Sequence, residues 1–423
     1  MQLEKTCSFS SACFETMMPW MVCLCASLFF FYEFIQGNMF ASIADNIMHD
    51  FNIQVNRMAY LSSVYYVANV LFLFVAGQML DRYSPKKVMM AGMFLCVCST
   101  FVLAQAQSFT IALICRFITG IGSAFCLLGP VRIASRWFPP QRMAMVTGLI
   151  VTVAMLGGMA AQYPMTWLVA QIGWRDAVWA VGWVGAAMWL LMGLGILDKP
   201  TGAIESTAQP MHFLEIFKRA FTNLDTIKVA LFASLMNMAI AVFGAMMGSL
   251  YLMQRLDISK ELASSINGML FLGVIIGGPL MGRWSDRIGR RLLPMRVGVI
   301  GSLLVLLMVL YLPCDPLFMY VLFFALGLFT SAQVISYAYV AESQPHSMTA
   351  TAVSVVSICT QSGYVLFQNM FSHLLLWHQQ STALTNDLKD YQFAAIMLPL
   401  GLVIACLLVL KLRETYCRGY EHI

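Results

Sequence analysis

The stretch Gly77-Gln-Met-Leu-Asp81-Arg82-Tyr-Ser-Pro85-Lys86-Lys87 ends one apolar run and precedes the next. It is written again as Gly282-Arg-Trp-Ser-Asp286-Arg287-Ile-Gly289-Arg290-Arg291, so that Gly282 answers Gly77, Asp286 answers Asp81 and Arg287 answers Arg82. A basic pair closes each copy. A 423-residue chain that repeats such a segment at about half its length is built from two similar halves.

Hydrophobic residues make up 60% of the chain and charged residues 11%, against about 25% charge in a soluble domain. Mean hydropathy is +0.76. There is too little polar surface to face water, so the chain is expected in a lipid bilayer. The net charge of +5 therefore carries no message about nucleic acid, and none is expected as a partner.

Apolar runs fall near 18–42, 58–80, 88–106, 109–134, 143–171 and 177–197, and again near 227–252, 262–282, 292–312, 316–341, 347–377 and 391–411. Each is close to or above the roughly 20 residues that a spanning helix needs. Lipid admits helices because they satisfy their own backbone groups. The expectation is an all-α membrane protein of twelve transmembrane helices in two six-helix bundles, residues 1–197 and 227–423, joined by a connector, 198–226. In the connector, Phe213, Leu214, Phe217, Phe221 and Leu224 share a helical face, as in a helix lying on a membrane surface. The first run is too long for a signal-peptide core and reads as an uncleaved helix.

Of the 25 basic residues, Arg57, Arg175, Arg255, Lys260 and Lys389 fall on one side of this topology and Arg116 lies inside a helix. The others fall on the side carrying both ends, which places both termini in the cytoplasm. Most of the 12 cysteines lie in apolar runs without C-x-x-C spacing and read as small buried hydrophobes. His373 and His378 lie five positions apart with no neighbouring carboxylate in sequence, so no metal site is assigned.

The repeated turn resembles the G-x-x-x-D-R-x-G-R-[KR] loop of the major facilitator superfamily of transporters. Arg116-Phe-Ile-Thr-Gly120-Ile-Gly122, Trp137-Phe-Pro139-Pro140-x-Arg142 and Gly173-Trp174-Arg175 are similar to it as well. The resemblance covers the whole chain. It implies alternating access of two bundles, a cavity lined by helices 1, 4, 7 and 10, and a latch at the repeated turns: Gly77, Asp81, Arg82, Gly282, Asp286, Arg287 and Arg290. Taken by their chemistry, Gly77 and Gly282 are expected to end their helices and let a neighbour approach. Asp81 and Asp286 are expected to face a helix N-terminus or an arginine. The first copy departs from the pattern at Ser84 and Pro85. Glu342 reads as a further latch residue. The glycine–proline pattern of antiporters on helix 5 is interrupted by Ala161-Gln162-Tyr163-Pro164, which favours uptake over exchange.

Charges inside a membrane cost roughly 3 kcal/mol each on insertion scales and so need a reason. Glu33 in helix 1 and Arg116 in helix 4 lie at similar depth and are expected to pair. Glu33 would carry a proton or touch the solute, and Arg116 would hold a carboxylate. Gln36 shares the face of Glu33. Asn237 on helix 7, Gln333 and Tyr337 on helix 10 and Gln361 on helix 11 are polar stripes expected to hydrogen-bond the solute. A phosphate loop of the G-x-x-x-x-G-K-[ST] type, H-E-x-x-H and G-x-S-x-G are all absent from the sequence. The leading reading is a monomeric secondary transporter of a small organic solute, proton-coupled, in a bacterial inner membrane. No enzyme activity and no cofactor are expected. A uniporter, a proton-antiport exporter and a membrane sensor are the alternatives.

Overall fold

The computed structural model describes residues 3–138, 143–198, 223–343, 349–382 and 388–416. The connector stripe Phe213–Phe221 lies outside them. Among the described residues the fold is all-helical, and the chain runs from one end of the bundle to the other twelve times. The first pass is α1 (Leu3–Asn38) and α2 (Phe40–Asp50); the second and third are α3 (Val55–Arg82) and α4 (Pro85–Ala104). The fourth is α5 (Phe109–Ser123) and α6 (Leu128–Trp137). The fifth is α7 (Met143–Ala160) and the start of α8 (Tyr163–Gly195), and the sixth is the rest of α8 beyond Gly173.

In the second half the seventh pass is α9 (Leu224–Met236), a π-helical turn (Ile240–Met247) and α10 (Gly248–Leu256). Then follow α11 (Lys260–Ile288) and α12 (Leu292–Tyr311). The tenth pass is α13 (Pro316–Thr330), a 3₁₀ turn (Ser331–Val334) and α14 (Ile335–Glu342). The eleventh is α15 (Thr349–Thr382), and the twelfth is α16 (Leu388–Ala395) with α17 (Met397–Leu410). Large apolar side chains such as Leu71, Trp183, Leu194 and Leu317 face outward, as a lipid-dissolved surface requires.

Two apolar cores form. One is drawn from residues between Val22 and Ile196; the other runs from Val229 to Leu412 and takes in Ala59, Tyr65, Tyr66 and Met155 of the first half. Passes within a half approach closely at glycine. A methyl group at Gly120 would strike the carbonyl of Tyr65, and one at Gly327 would strike the carbonyl of Leu270. The same crossing, second pass on fourth and eighth on tenth, thus recurs in both halves, and packing at small residues is what drives helices together in lipid. Gly327→Leu is expected to cost about 1–3 kcal/mol or more through overpacking, read as a lower thermal midpoint in detergent, whereas the same change at the uncrowded Gly278 leaves it in place.

Gly173 (φ 82°) makes the turn between passes five and six, a conformation that only glycine adopts without strain. It delivers Trp174 and Arg175 to Asp50 at the end of α2. Trp174 Nε1 donates to Asp50 Oδ2 at 2.8 Å, and Arg175 pairs with the same carboxylate while lying 4.2 Å over the Trp174 ring. The Trp174 hydrogen bond, then the Arg175 one, hold the Asp50 carboxyl below its usual value. A depressed folded value gives stability that is present above the ordinary carboxylate range and lost as pH falls through the folded value. Asp50→Asn is therefore expected to flatten the acid limb of thermal stability below about pH 4 and leave the neutral plateau lower, in melts taken from pH 3 to 7.

Candidate functional site

The first and fourth passes bring Glu33, Gln36 and Arg116 together in the middle of the first half, all three buried. The pairing expected between Glu33 and Arg116 is not what forms. Tyr65 of α3 touches both instead: its hydroxyl donates to Glu33 Oε2 at 3.0 Å, and the Arg116 guanidinium lies 4.5 Å over its ring. The other face of the guanidinium is 4.5 Å from Phe40. The acid and the base therefore communicate through a phenol. The reason is the interruption at Met39, between α1 and α2. It puts the Gln36 carbonyl at a helix C-terminus, where the last carbonyls lack intrahelical donors and a cation is favoured. Arg116 Nη1 donates to that carbonyl at 3.0 Å.

What remains unused is specific. Arg116 Nε and Nη2, on the same edge of the guanidinium, have no hydrogen-bond partner, and neither has Glu33 Oε1 or Gln36 Oε1. Gln36 Nε2 is committed to Thr100 Oγ1 at 2.9 Å, which also meets the Tyr32 hydroxyl at 2.9 Å. With both faces of the guanidinium covered by rings and one nitrogen tied to the backbone, the Nε–Nη2 edge is a two-pronged donor held in a fixed plane. Such a fork matches a planar carboxylate. Tyr65 and Phe40 escaped the sequence reading because aromatic residues fill so many positions. The Tyr65-Tyr66 doublet in an apolar run was the available signal, since a buried phenol hydroxyl needs a partner.

In the second half Gln333 Nε2 donates to Asn237 Oδ1 at 2.9 Å, and Asn237 Nδ2 is returned to the Ala233 carbonyl. Tyr337 neighbours Ser357 and Thr360 of α15. Gln361 is half-buried on α15 and makes no hydrogen bond to a described residue. Gln368 joins this group by donating to the Ala241 carbonyl of the π-helical turn at 3.1 Å. The Tyr364 ring lies 4.6 Å from that of Tyr66, tilted by 34°, so the polar groups of the two halves meet through aromatic rings.

The repeated turns differ from their sequence reading. α3 continues past Gly77 to Arg82 and α12's predecessor α11 continues past Gly282 to Ile288; a side chain at either glycine would meet nothing within 4 Å. The side chains of Asp81 and Arg82 lie outside the described set. Arg287 and Arg290 are exposed, and the working arginine is Arg291. Arg291 Nη1 donates to Asp286 Oδ1 at 2.5 Å and Nη2 to Glu342 Oε1 at 2.6 Å. Asp286 thus meets an arginine, one of the two partners expected for it, while the carboxylates at the helix N-termini nearby come from two other acids. Glu414 accepts from the amides of Arg291 (2.6 Å) and Leu292 (3.0 Å) at the start of α12. Asp198 accepts from the Lys86 amide at 2.8 Å, and from Ser84, at the start of α4. The two arrangements correspond: in each half, the first acid after the sixth pass closes the N-terminus of the third. Pro85 fits there because an N-terminal proline lacks only an amide the helix does not use.

The described hydrogen bonds and ion pairs between the halves lie toward the face opposite the repeated turns. Lys260 Nζ meets Asp45 Oδ1 at 2.5 Å and Asn46 Oδ1 at 2.9 Å. Asn369 donates to Ser63 at 3.0 Å, and Tyr60 meets His373 at 3.1 Å. His378, the other of the two histidines, faces Asp390 at 2.6 Å instead.

The family model described as Major Facilitator Superfamily matches residues 22–247 and 229–416. The chain belongs to this superfamily of transporters. It is 24% identical over 184 residues to a probable sulfoacetate transporter of Cupriavidus necator, covering 44% of this chain and 43% of that protein, well under half of the relative's length. It is 22% identical over 362 residues to a chloramphenicol resistance protein of Acinetobacter baumannii, covering 83% and 86% of the two. Its fold matches that of a bacterial homologue of the human lysosomal transporter Spinster in an inward-facing, unoccupied conformation, with TM-score 0.76, 17% identity, and coverage of 93% and 96%.

Removing Arg291 strands the carboxylate of Glu342, and breaking a largely buried ion pair from one side typically costs about 3–5 kcal/mol. Arg291→Ala is expected to lower the thermal midpoint by several degrees, while Arg290→Ala stays within about 0.5 kcal/mol of the parent, compared by melting in the same detergent.

Proposed function

We propose that this chain is a secondary transporter that takes up a small organic solute bearing a carboxylate, by alternating access, with Glu33 as the proton-carrying group. The observation that supports the solute class is the clamped edge of Arg116, a fully buried guanidinium with two donors free on one side. A carboxylate docked there gains two parallel charge-assisted hydrogen bonds and relieves a buried cation. The relative named for sulfoacetate, an organic anion, agrees with this reading. Glu33 sits one phenol away, with one oxygen bonded and one open, where a proton can be taken without dismantling the arginine's backbone anchor. Asn237, Gln333, Tyr337 and Gln361 then offer hydrogen bonds to the rest of the solute from the opposite half.

The basic-residue asymmetry supports a cytoplasmic location for the repeated turns and both termini, in the cytoplasmic membrane of a bacterium. On that orientation the described form is fastened on the outside. Gly77 and Gly282 would acquire neighbours only when the repeated turns close, which accounts for the open space beside them here. Export by proton antiport is the second reading, favoured by the longer alignment with the chloramphenicol resistance protein.

Two variants test the proposal. Small carboxylates and sulfonates that raise the thermal midpoint of the purified protein are expected to lose that effect in Arg116→Lys, since a single ammonium cannot replace the fork, with at least a tenfold weaker apparent affinity. Glu33→Gln is expected to bind the same compounds but to lose accumulation driven by a pH gradient in proteoliposomes. Undiminished gradient-driven accumulation by that variant would remove Glu33 from the coupling.

A further inference from the structure

The segment Ala161-Gln162-Tyr163-Pro164, which breaks the glycine pattern of the fifth pass, has a use on the face opposite the repeated turns. α7 stops at Ala160, Gln162 (φ −90°, ψ −112°) leaves helical geometry for one residue, and α8 restarts at Tyr163 with proline in its first turn. The break turns the Gln162 side chain out of its own bundle. It is fully buried and reaches the other half, where Nε2 donates to the Gly244 carbonyl at 2.9 Å and Oε1 accepts from Asn267 Nδ2 at 2.8 Å. Asn267 Nδ2 is also 3.0 Å from the Phe243 carbonyl.

Both carbonyls belong to the π-helical turn Ile240–Met247, whose wider i→i+5 winding departs from the regular ladder, as such turns do at functional places. α11 passes alongside, close enough that a methyl at Gly268 would lie 3.6 Å from Gln162 Cβ. One helical turn further along α8, Thr166 Oγ1 lies 2.8 Å from Ser42 Oγ and 2.6 Å from Ser264 Oγ, and Ser264 is 2.9 Å from Ser249. The surroundings are otherwise apolar: Gly158 packs against the Phe271 ring just below.

We propose that Gln162 is the bolt of the gate on this face, the residue that sets how much of the protein rests with the two halves fastened there. The inference rests on the alternating-access reading. A carboxamide can donate and accept at once, so one side chain holds a backbone carbonyl of the seventh pass and an amide of the eighth. When the halves part, Gly244 and Asn267 are left facing the opened gate, where water takes over their hydrogen bonds. The bolt is therefore strong only while dry. Because its bonds are neutral, it holds equally at low and high ionic strength, whereas the Lys260–Asp45 pair beside it weakens as salt screens it.

The test is amide hydrogen–deuterium exchange of the full chain in nanodiscs, with no solute added. Gln162→Met keeps the length of the side chain and removes both hydrogen bonds. It is expected to shift the balance between the two forms about tenfold. Residues 240–250 and 262–270 then exchange faster, while residues 283–292 at the repeated turn exchange more slowly because that face spends more time closed. Asn267→Ala removes the partner from the other half and is expected to give the same two-sided signature; it carries the test if Gln162→Met fails to fold. Faster exchange at the gate with no added protection at 283–292 is mere local loosening and overturns the proposal. Lys260→Ala separates this failure from a wider one. If it produces the two-sided change and Gln162→Met does not, Gln162 is not the bolt but alternating access stands. If neither variant protects 283–292, alternating access falls as well.

Discussion

Moving a guanidinium out of water carries a penalty of several kcal/mol that only close partners can offset, and Arg116 is removed from water completely. Much of the first half is arranged around that penalty. The first pass breaks at Met39 so that a helix end can offer the Gln36 carbonyl. Phe40 and Tyr65 sheathe the two faces of the charge. Gly120, one turn along α5 from Arg116, lets α3 come close enough for the Tyr65 ring to arrive. Each of these is a departure from a plain lipid-spanning helix, and each is explained by the one charge.

The same logic places the other interruptions. Passes one, four, seven and ten are interrupted at Met39, at 124–127, at the π-helical turn and at the 3₁₀ turn, and passes five and twelve are interrupted at Gln162 and at Ile396. Backbone that leaves the regular ladder in a membrane must be surrounded by protein or open to water, and Met39, Ala124, Gln162, Ile240–Met247 and Ser331–Gln333 are all buried. α4, α12 and most of α11 are long and regular by contrast. Interior position is thus written in the helix geometry as well as in burial.

How far the letters foretell this depends on the range of the interaction. Twelve passes, the duplicated turn and the two mid-membrane charges are local or periodic signals, and they were legible. Their partners were not. Tyr65 resembles many other aromatics until it is seen between Glu33 and Arg116. Arg290 and Arg291 are adjacent basic residues, and only the start of α12 decides that Arg291 turns inward to Glu342. Gly77 and Gly282 were read as close contacts, yet a side chain at either would meet nothing within 4 Å. Gln162 looked like a defect in a glycine pattern because its partners, Gly244 and Asn267, are some hundred positions away.

The clasps made by Asp198 and Glu414 bear on how the two halves correspond. Lys86 and Arg291 stand 205 positions apart, but the acids that grip their amides stand 216 apart and are not even the same amino acid. Aligning the halves letter by letter would pass over them. The likeness lies in the job, an acid at the close of each bundle anchoring the start of its third helix, across different lengths of chain and with a different residue. The repeat in this chain is therefore visible in which amide is held, even where the residue that holds it differs.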